Sequence, residues 1–341
     1  DKHIKRIEPT ATPMFMKDML EIKIQKDDHY WKVPNQNDYT SWLPQVSFDV
    51  FFDNSTKMRY QAEWFNPDGS PWFTESLDAG NFSEDSQTIR VSSPYSGDLL
   101  NTKAVTTTGT YGVKITNVKT SETVFQGKFK VNKMSLADGD ARLKNKFLFY
   151  VDNDWTLPIG YVGFTYSGET SWNTEVEPLV FMWFKGELQA KDMEARLFYN
   201  NQQVASTDDG GFNNTTQTRG EGCFLSKDIC YYKLWEFSWK NFFIENSEYA
   251  GAKRPNVIYT EDKPGEYTVK VFYKGAQVRE AKFTIDRKGW IAPNQFSDKI
   301  FLTEYKIVVP VKIMGTLDKW NAAAWKTDAF YGNPLAGFNV Q

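Results

Sequence analysis

One stretch of this sequence is written twice. Gly109-Thr-Tyr111-Gly-Val113-Lys-Ile115 returns as Gly265-Glu-Tyr267-Thr-Val269-Lys-Val271. Each copy leads through a short turn into a second alternating run, Gly127-Lys-Phe129-Lys-Val131 and Ala281-Lys-Phe283-Thr-Ile285. Alternation of apolar and polar residues is the signature of a strand with one buried face. The chain therefore holds one structural unit twice, and the unit is built of strands.

Upstream segments keep the same order. Val46, Phe48, Val50 and Phe52 alternate with Ser47, Asp49 and Phe51, and Met58, Tyr60, Ala62 and Trp64 alternate with Arg59, Gln61 and Glu63. Asn66-Pro-Asp-Gly69 then supplies a tight turn, since Pro fixes φ while Asn and Gly tolerate positive φ; a partner strand is expected from near Trp72. In the second half, Pro178 leads into Val180, Met182 and Phe184 as Pro44 leads into Val46. Met193, Ala195, Leu197 and Tyr199 then alternate up to an Asn200-Asn201 turn. Asp209-Gly-Gly-Phe-Asn213 echoes Asp78-Ala-Gly-Asn-Phe82, and Trp155-Thr-Leu-Pro158 echoes Trp31-Lys-Val-Pro34. The shared order, more than any single echo, points to duplication.

These patterns give sandwich 1 over residues 44–135 and sandwich 2 over 155–286. The second carries a long insertion, 212–264, about 25 residues beyond its counterpart. It holds both cysteines and the run Tyr231 to Phe243. Trp235, Trp239 and Phe242, at spacings of three and four, suit a short amphipathic element docked on its own sheet; the alternative is a binding surface, the usual reason for a long loop. Residues 1–43 form an N-terminal extension with one or more strands, one of them through Leu20, Ile22 and Ile24. Residues 287–341 form a C-terminal β-rich extension in which Pro310 marks an edge or a bulge. Its last part, with Trp320, Trp325 and Phe330, must cover a sandwich or meet a partner.

Net charge is −3 with no basic run, so the positive patch that phosphate binding needs is not visible and no nucleic-acid partner is expected. No stretch nears the ~20 apolar residues of a membrane helix, so no integral membrane segment is expected. Cys223 and Cys230, the only cysteines, suit a small disulfide loop and hence an oxidising compartment; two unrelated buried thiols are the alternative. The chain opens on Asp1, as a mature product after signal removal or a trimmed chain would. Asn54-Ser-Thr56, Asn81-Phe-Ser83, Asn213-Asn-Thr215 and Asn214-Thr-Thr216 fit the glycosylation triplet.

The paired runs from Gly109 to Val131 and from Gly265 to Ile285 resemble the last two strands of immunoglobulin-like sandwiches. There a Gly-x-Tyr step opens the penultimate strand, and the Tyr hydroxyl bonds back to backbone at the corner. Tyr111 and Tyr267 match that Tyr. Val113 and Val269 stand where antibody domains place cysteine, so the inter-sheet disulfide of antibodies is absent. The upstream Asp is displaced to Asp262 in the second copy and missing in the first. The resemblance covers about half the chain and lies at fold level, to tandem immunoglobulin-like or fibronectin-like modules of secreted and surface proteins, mostly bacterial. It implies an all-β chain of two tandem immunoglobulin-like β-sandwich domains with extra terminal strands, located in the periplasm, outside the cell or on its surface. It implies no activity, because such folds host many.

Motifs of chemistry are sparse. His3 and His29 read as solvated, and neither has a nucleophile placed beside it by the sequence. Asp152 and Asp154, with Glu175 and Glu177, are acidic pairs near turns, and Asp138-Gly-Asp140 only faintly resembles a calcium loop. No catalytic residue, metal ligand or cofactor is assigned. The leading expectation is a non-enzymatic structural, assembly or adhesion component that meets other subunits, or itself, through edge strands. A carbohydrate-binding module pair is the alternative, with polysaccharide as partner and exposed rings as platforms. A glycan-cleaving enzyme comes third. Candidate contact residues are Trp72, Trp172, Trp235, Trp239, Phe242, Trp320, Trp325 and Phe330.

Overall fold

In the computed structural model, residues 14–25, 41–51, 58–83, 88–94, 96–135, 144, 147–164, 177–209, 215–222, 230–243, 255–295 and 306–317 are described. They divide into two compact units, one running to Asp152 and the other starting at Asn153. Strand is the dominant element in both.

The N-terminal unit contains β1 (Met14–Gln25), β2 (Leu43–Phe51), β3 (Tyr60–Phe65), β4 (Pro71–Ser76), β5 (Asp78–Ser83), β6 (Thr88–Ser92), β7 (Gly109–Asn117), β8 (Glu122–Ser135) and β9 (Phe147–Val151). They form two sheets, in the orders β1-β2-β6-β5 and β4-β3-β7-β8-β9. The alternation works as expected: Tyr60, Ala62 and Trp64 of β3 are buried, while Gln61, Glu63 and Phe65 between them are only partly so. The sheets face each other through rings. Phe48 meets Tyr60 edge-on at 5.3 Å, and Phe15 stacks on Phe125 at 5.9 Å. Of these rings Phe48, Tyr60 and Phe125 are buried and each contributes roughly 2–3 kcal/mol of transfer free energy, while Phe15 is partly exposed.

The C-terminal unit contains β10 (Ile159–Phe164), β11 (Pro178–Lys185), β12 (Met193–Tyr199), β13 (Gln202–Ser206), β14 (Thr215–Gly222), β15 (Tyr231–Phe237), the two-residue pair β16 (Phe242–Phe243) and β17 (Ile258–Tyr259), then β18 (Gly265–Tyr273), β19 (Ala276–Ile285) and β20 (Ile307–Ile313). Its main sheet runs β13-β12-β18-β19-β20-β10-β11-β15-β14. Cut between β20 and β10, that order reproduces the two sheets of the N-terminal unit strand for strand. Registers agree too. Gly109, Tyr111 and Val113 pair with Val131, Phe129 and Gly127; Gly265, Tyr267 and Val269 pair with Ile285, Phe283 and Ala281. Register slips fall at matching places, after Ile115 and Val271, and after Trp64 and Leu197. The turns obey their chemistry: Asn200 and Asn201 both have positive φ (49° and 62°), and Gly69 has φ 84°.

The strands near the two ends of the chain serve their own units. β1 pairs with β2 from Met14 to Gln25. β20 pairs with β10 through Ile307–Pro310 and with β19 through Val311–Ile313. Pro310 therefore lies at neither an outer edge nor a bulge. It stands where the strand changes partners, the one place in an interior strand where a missing N–H interrupts neither ladder. Val311 resumes bonding at once, its N–H donating to Pro158 O at 2.9 Å.

The insertion also differs from expectation. Tyr231 to Phe237 is no helix-spaced element but an interior strand between β11 and β14. Both its faces are covered, so the apolar residues do not alternate and the spacing misleads. β11 is covered on both faces likewise, from Pro178 to Phe184. One face joins the main core with Met193, Leu197, Val269 and Phe283; the other gathers Leu179, Phe181, Trp183, Tyr232 and Leu234 around Leu157.

Candidate functional site

Both corner tyrosines do what the Gly-x-Tyr motif suggests. Tyr267 donates to Lys263 O at 2.7 Å, and Tyr111 lies 3.2 Å from Thr107 O and 2.8 Å from Thr107 Oγ1. Burial raises both hydroxyls above the ordinary tyrosine range. Gly109 and Gly265 precede them at φ 155° and 133°, values that L side chains rarely adopt; a Cβ would press on Pro67 Cγ (3.1 Å) at Gly109 and would only touch the Tyr199 ring (3.4 Å) at Gly265. These are structural devices that fix strand entry.

The candidate contact residues fall into three groups. Trp235, Trp239 and Phe242 are fully buried in the main core of the C-terminal unit. Trp239 donates its indole N–H to Ala195 O at 3.1 Å, so it staples β12 rather than offering a platform. Trp72 is half-buried; its N–H bonds Lys103 O at 2.9 Å and its ring packs on Trp42, Phe73 and Tyr111. Trp172, Trp320, Trp325 and Phe330 lie outside the described residues, as do His3, His29, Asp138, Asp140 and Glu175. Cys230 is fully buried and no described cysteine is free, while Cys223 lies outside the described residues.

Acidic groups inside the units are held by neighbours. Asp154 Oδ1 accepts from Lys185 Nζ at 2.8 Å and from the Tyr232 hydroxyl at 2.7 Å, all three largely buried. Glu75 is buried between the sheets of the N-terminal unit, where its Oε1 accepts from Trp64 Nε1 (3.0 Å) and Ser93 Oγ (2.7 Å). Burial raises its carboxyl above the usual range, against the pull of those two hydrogen bonds. Among the described residues no three His, Cys, Asp or Glu side chains gather as a metal cluster would require.

The surface feature with the most chemistry is a groove on the outer face of the N-terminal five-stranded sheet. It holds about 470 Å³. Its floor is set by register: Phe65 of β3, Gly112 of β7 and Lys128 of β8 stand side by side. Gly112 removes the middle side chain, and Phe65 leans into the vacated space; a Cβ on Gly112 would lie 3.2 Å from Phe65 Cβ and 3.5 Å from its Cδ2. The turn Asn66 to Gly69 forms one wall, with Thr110 and Gln126 also lining the groove. Asp68 Oδ1 accepts from Ser70 N (2.9 Å) and Ser70 Oγ (2.6 Å), which holds the exposed carboxylate below its usual range. Asn66 and Ser70 close the turn through Asn66 Nδ2 to Ser70 Oγ at 3.1 Å.

The matching row of the C-terminal unit is Phe198, Thr268 and Lys282. There the middle position carries a side chain. Neighbouring cations cover the rings, with Lys270 Nζ 4.8 Å from the Phe198 centroid and the Arg196 guanidinium 4.1 Å from that of Phe272. Arg196 is itself clamped bidentately by Glu194 at 2.8 and 2.9 Å. In sequence, the only trace of this difference is Tyr111-Gly-Val113 against Tyr267-Thr-Val269, a glycine in one copy of the motif and a threonine in the other.

No protein-family model matches this chain, and no curated protein does. Among solved structures, a chain described as a biofilm associated protein, BSP domain, aligns over 87% of this chain and 65% of its own length, at 9% identity and TM-score 0.17. At that score the alignment carries no argument. Among the described residues, no helix is long and apolar enough to cross a membrane.

Proposed function

We propose that this chain is a non-enzymatic secreted or cell-surface protein of two tandem immunoglobulin-like modules, acting as a structural, assembly or adhesion component through protein contacts. The module reading is supported by the common strand order, the matching slips and the two tyrosine corners. The reading includes a Cys223–Cys230 disulfide, as the sequence suggests, and Asn81 is exposed within its glycosylation triplet.

The observation that carries the contact reading is the sheet ends. β4 and β5 each end a sheet of the N-terminal unit, β13 and β14 are the two ends of the nine-strand sheet of the other, and no described strand pairs with their outer rims. Such rims offer unpaired backbone groups to an incoming strand. β5 is exposed except at Phe82, and Gly80 and Asn81 sit in a slip with no partner on β6. Asn81→Pro removes a backbone donor from this edge strand at a position without a register partner on β6. Made without glycosylation, the full chain should self-associate in sedimentation velocity or capture a purified surface protein, and the variant should lose that association at unchanged Tm. A chain that stays monomeric and captures nothing, or a variant that associates as before, refutes edge pairing at β5. The carbohydrate-module alternative cannot rest on Trp235 and Trp239, whose rings lie in the core.

A further inference from the structure

We infer that the groove over Gly112 is a binding site for a neutral polysaccharide, with Phe65 as its stacking platform. The inference does not rest on the edge-pairing reading; it uses a different face of the unit.

Glycine inside a strand weakens it, because it packs nothing and loses the most backbone freedom on folding. The fold does not require glycine at this place. Thr268 occupies the same register position in the C-terminal unit, between the same kinds of neighbours, Phe198 and Lys282. The N-terminal unit thus gives up a side chain that its counterpart keeps, and what it gains is the groove. Phe198 and Phe272 are partly exposed, as Phe65 is, but they carry Lys270 and Arg196 over their rings, whereas Phe65 lines an opening.

The lining selects the ligand. A half-exposed ring supplies an apolar face for the C–H side of a sugar. Around it stand a hydroxyl (Thr110), an amide (Gln126), an ionised carboxylate (Asp68) and an ammonium (Lys128), a mixture that accepts from and donates to ring hydroxyls. The charges balance, one of each sign, which favours a neutral sugar over an anionic one. Gln126 is exposed, and Asp68 is braced by Ser70, so its carboxylate is oriented before a ligand arrives. The volume, about 470 Å³, falls in the range of small-molecule sites. The groove is open, as binding to the middle of a long chain requires.

The test uses the full chain and defined probes: oligomers of glucose, mannose and N-acetylglucosamine as neutral probes, and a uronic acid oligomer as the anionic one, read by amide chemical shifts and by calorimetry. At least one neutral oligomer should bind and shift the amides of Gly112, Gln126 and Gly69. Phe65→Ala and Gly112→Thr should each weaken binding about tenfold or more. Because Gly112→Thr crowds Phe65 and Phe65→Ala alters packing, Gln126→Ala provides the control on an exposed side chain. It should weaken binding several-fold with Tm unchanged. The inference is overturned if no probe binds, if only the uronic acid oligomer binds, or if Gly112→Thr and Gln126→Ala bind like the parent. Loss of binding here with edge association intact would sink this site and leave the edge reading standing.

Discussion

The two units use one strand plan and finish it differently. In the C-terminal unit, β20 hydrogen-bonds to β10 and fuses both layers into a nine-strand sheet. In the N-terminal unit the corresponding strands are β9 and β1; they lie near each other, yet no ladder joins them and two sheets remain. The outer faces differ as well. Phe65, Gly112 and Lys128 floor a groove, while in the matching row of Phe198, Thr268 and Lys282 the middle position keeps its side chain. The plan itself is thus indifferent to how its sides are closed and what its outer face carries. The fixed part is the corner tyrosine, the glycine before it and the two slips, and the variable parts are where specific properties reside.

The difference in closure predicts the largest effect. Val309 is 1% exposed and sits in the strand that joins the layers. Val309→Asp buries an unpaired charge and should cost at least about 3 kcal/mol. Calorimetry should show one transition collapse while that of the N-terminal unit survives; concerted loss of both would show that the units do not fold independently.

The corners should behave alike but not identically. Tyr267→Phe removes the bond to Lys263 O and should cost about 1 kcal/mol. Tyr111→Phe removes a longer bond, 3.2 Å to Thr107 O, and a contact with the exposed Thr107 hydroxyl that water can replace, so its cost should be the smaller of the two. Urea melts of each variant measure this, and a larger cost at Tyr111 would break the ranking.

Two carboxyls give the units opposite responses to pH. Glu75 has its folded pKa raised by burial. Its contribution is most favourable below the unfolded carboxylate value, near 4.3, and is lost as pH rises through the raised folded value. Glu75→Gln keeps an acceptor for Trp64 and Ser93, so it should raise the N-terminal Tm at pH 7–8 and flatten its pH slope. A variant less stable than the parent at pH 8 would contradict this. Glu194 is the reverse case, lowered by its hydrogen bonds to Arg196. Its contribution is present above the unfolded value and lost as pH falls through the depressed one. The pair is partly exposed, so Glu194→Gln should cost only a few tenths of a kcal/mol at pH 7 and less near pH 3, in the C-terminal transition.

Where the chain alternates, its sequence announces its strands. Val46 to Val50, Tyr60 to Trp64 and the two Gly-x-Tyr runs read directly, because one face is more deeply buried than the other. Legibility fails where both faces are covered, as in Tyr231 to Phe237, since periodicity then vanishes. It fails again at β20, whose pairing with β10 joins residues far apart in the chain, and at Pro310, whose meaning depends on a partner exchange that no local rule encodes. The Gly112 groove is marked in the sequence only by a single glycine–threonine mismatch between the copies, and a groove depends on neighbours across three strands that no local pattern encodes.

The long-range ladder from Ile159 to Pro310 also sets an order of events during synthesis. Once Val151 has left the ribosome, every described strand of the first module has been made. The second must hold the open flank of β10 unsatisfied while about 150 further residues are made. Through that interval the nascent chain carries a vacant docking rim of its own, and a chaperone or translocation channel that shields it would decide whether the last strand finds its place or a neighbouring chain takes it.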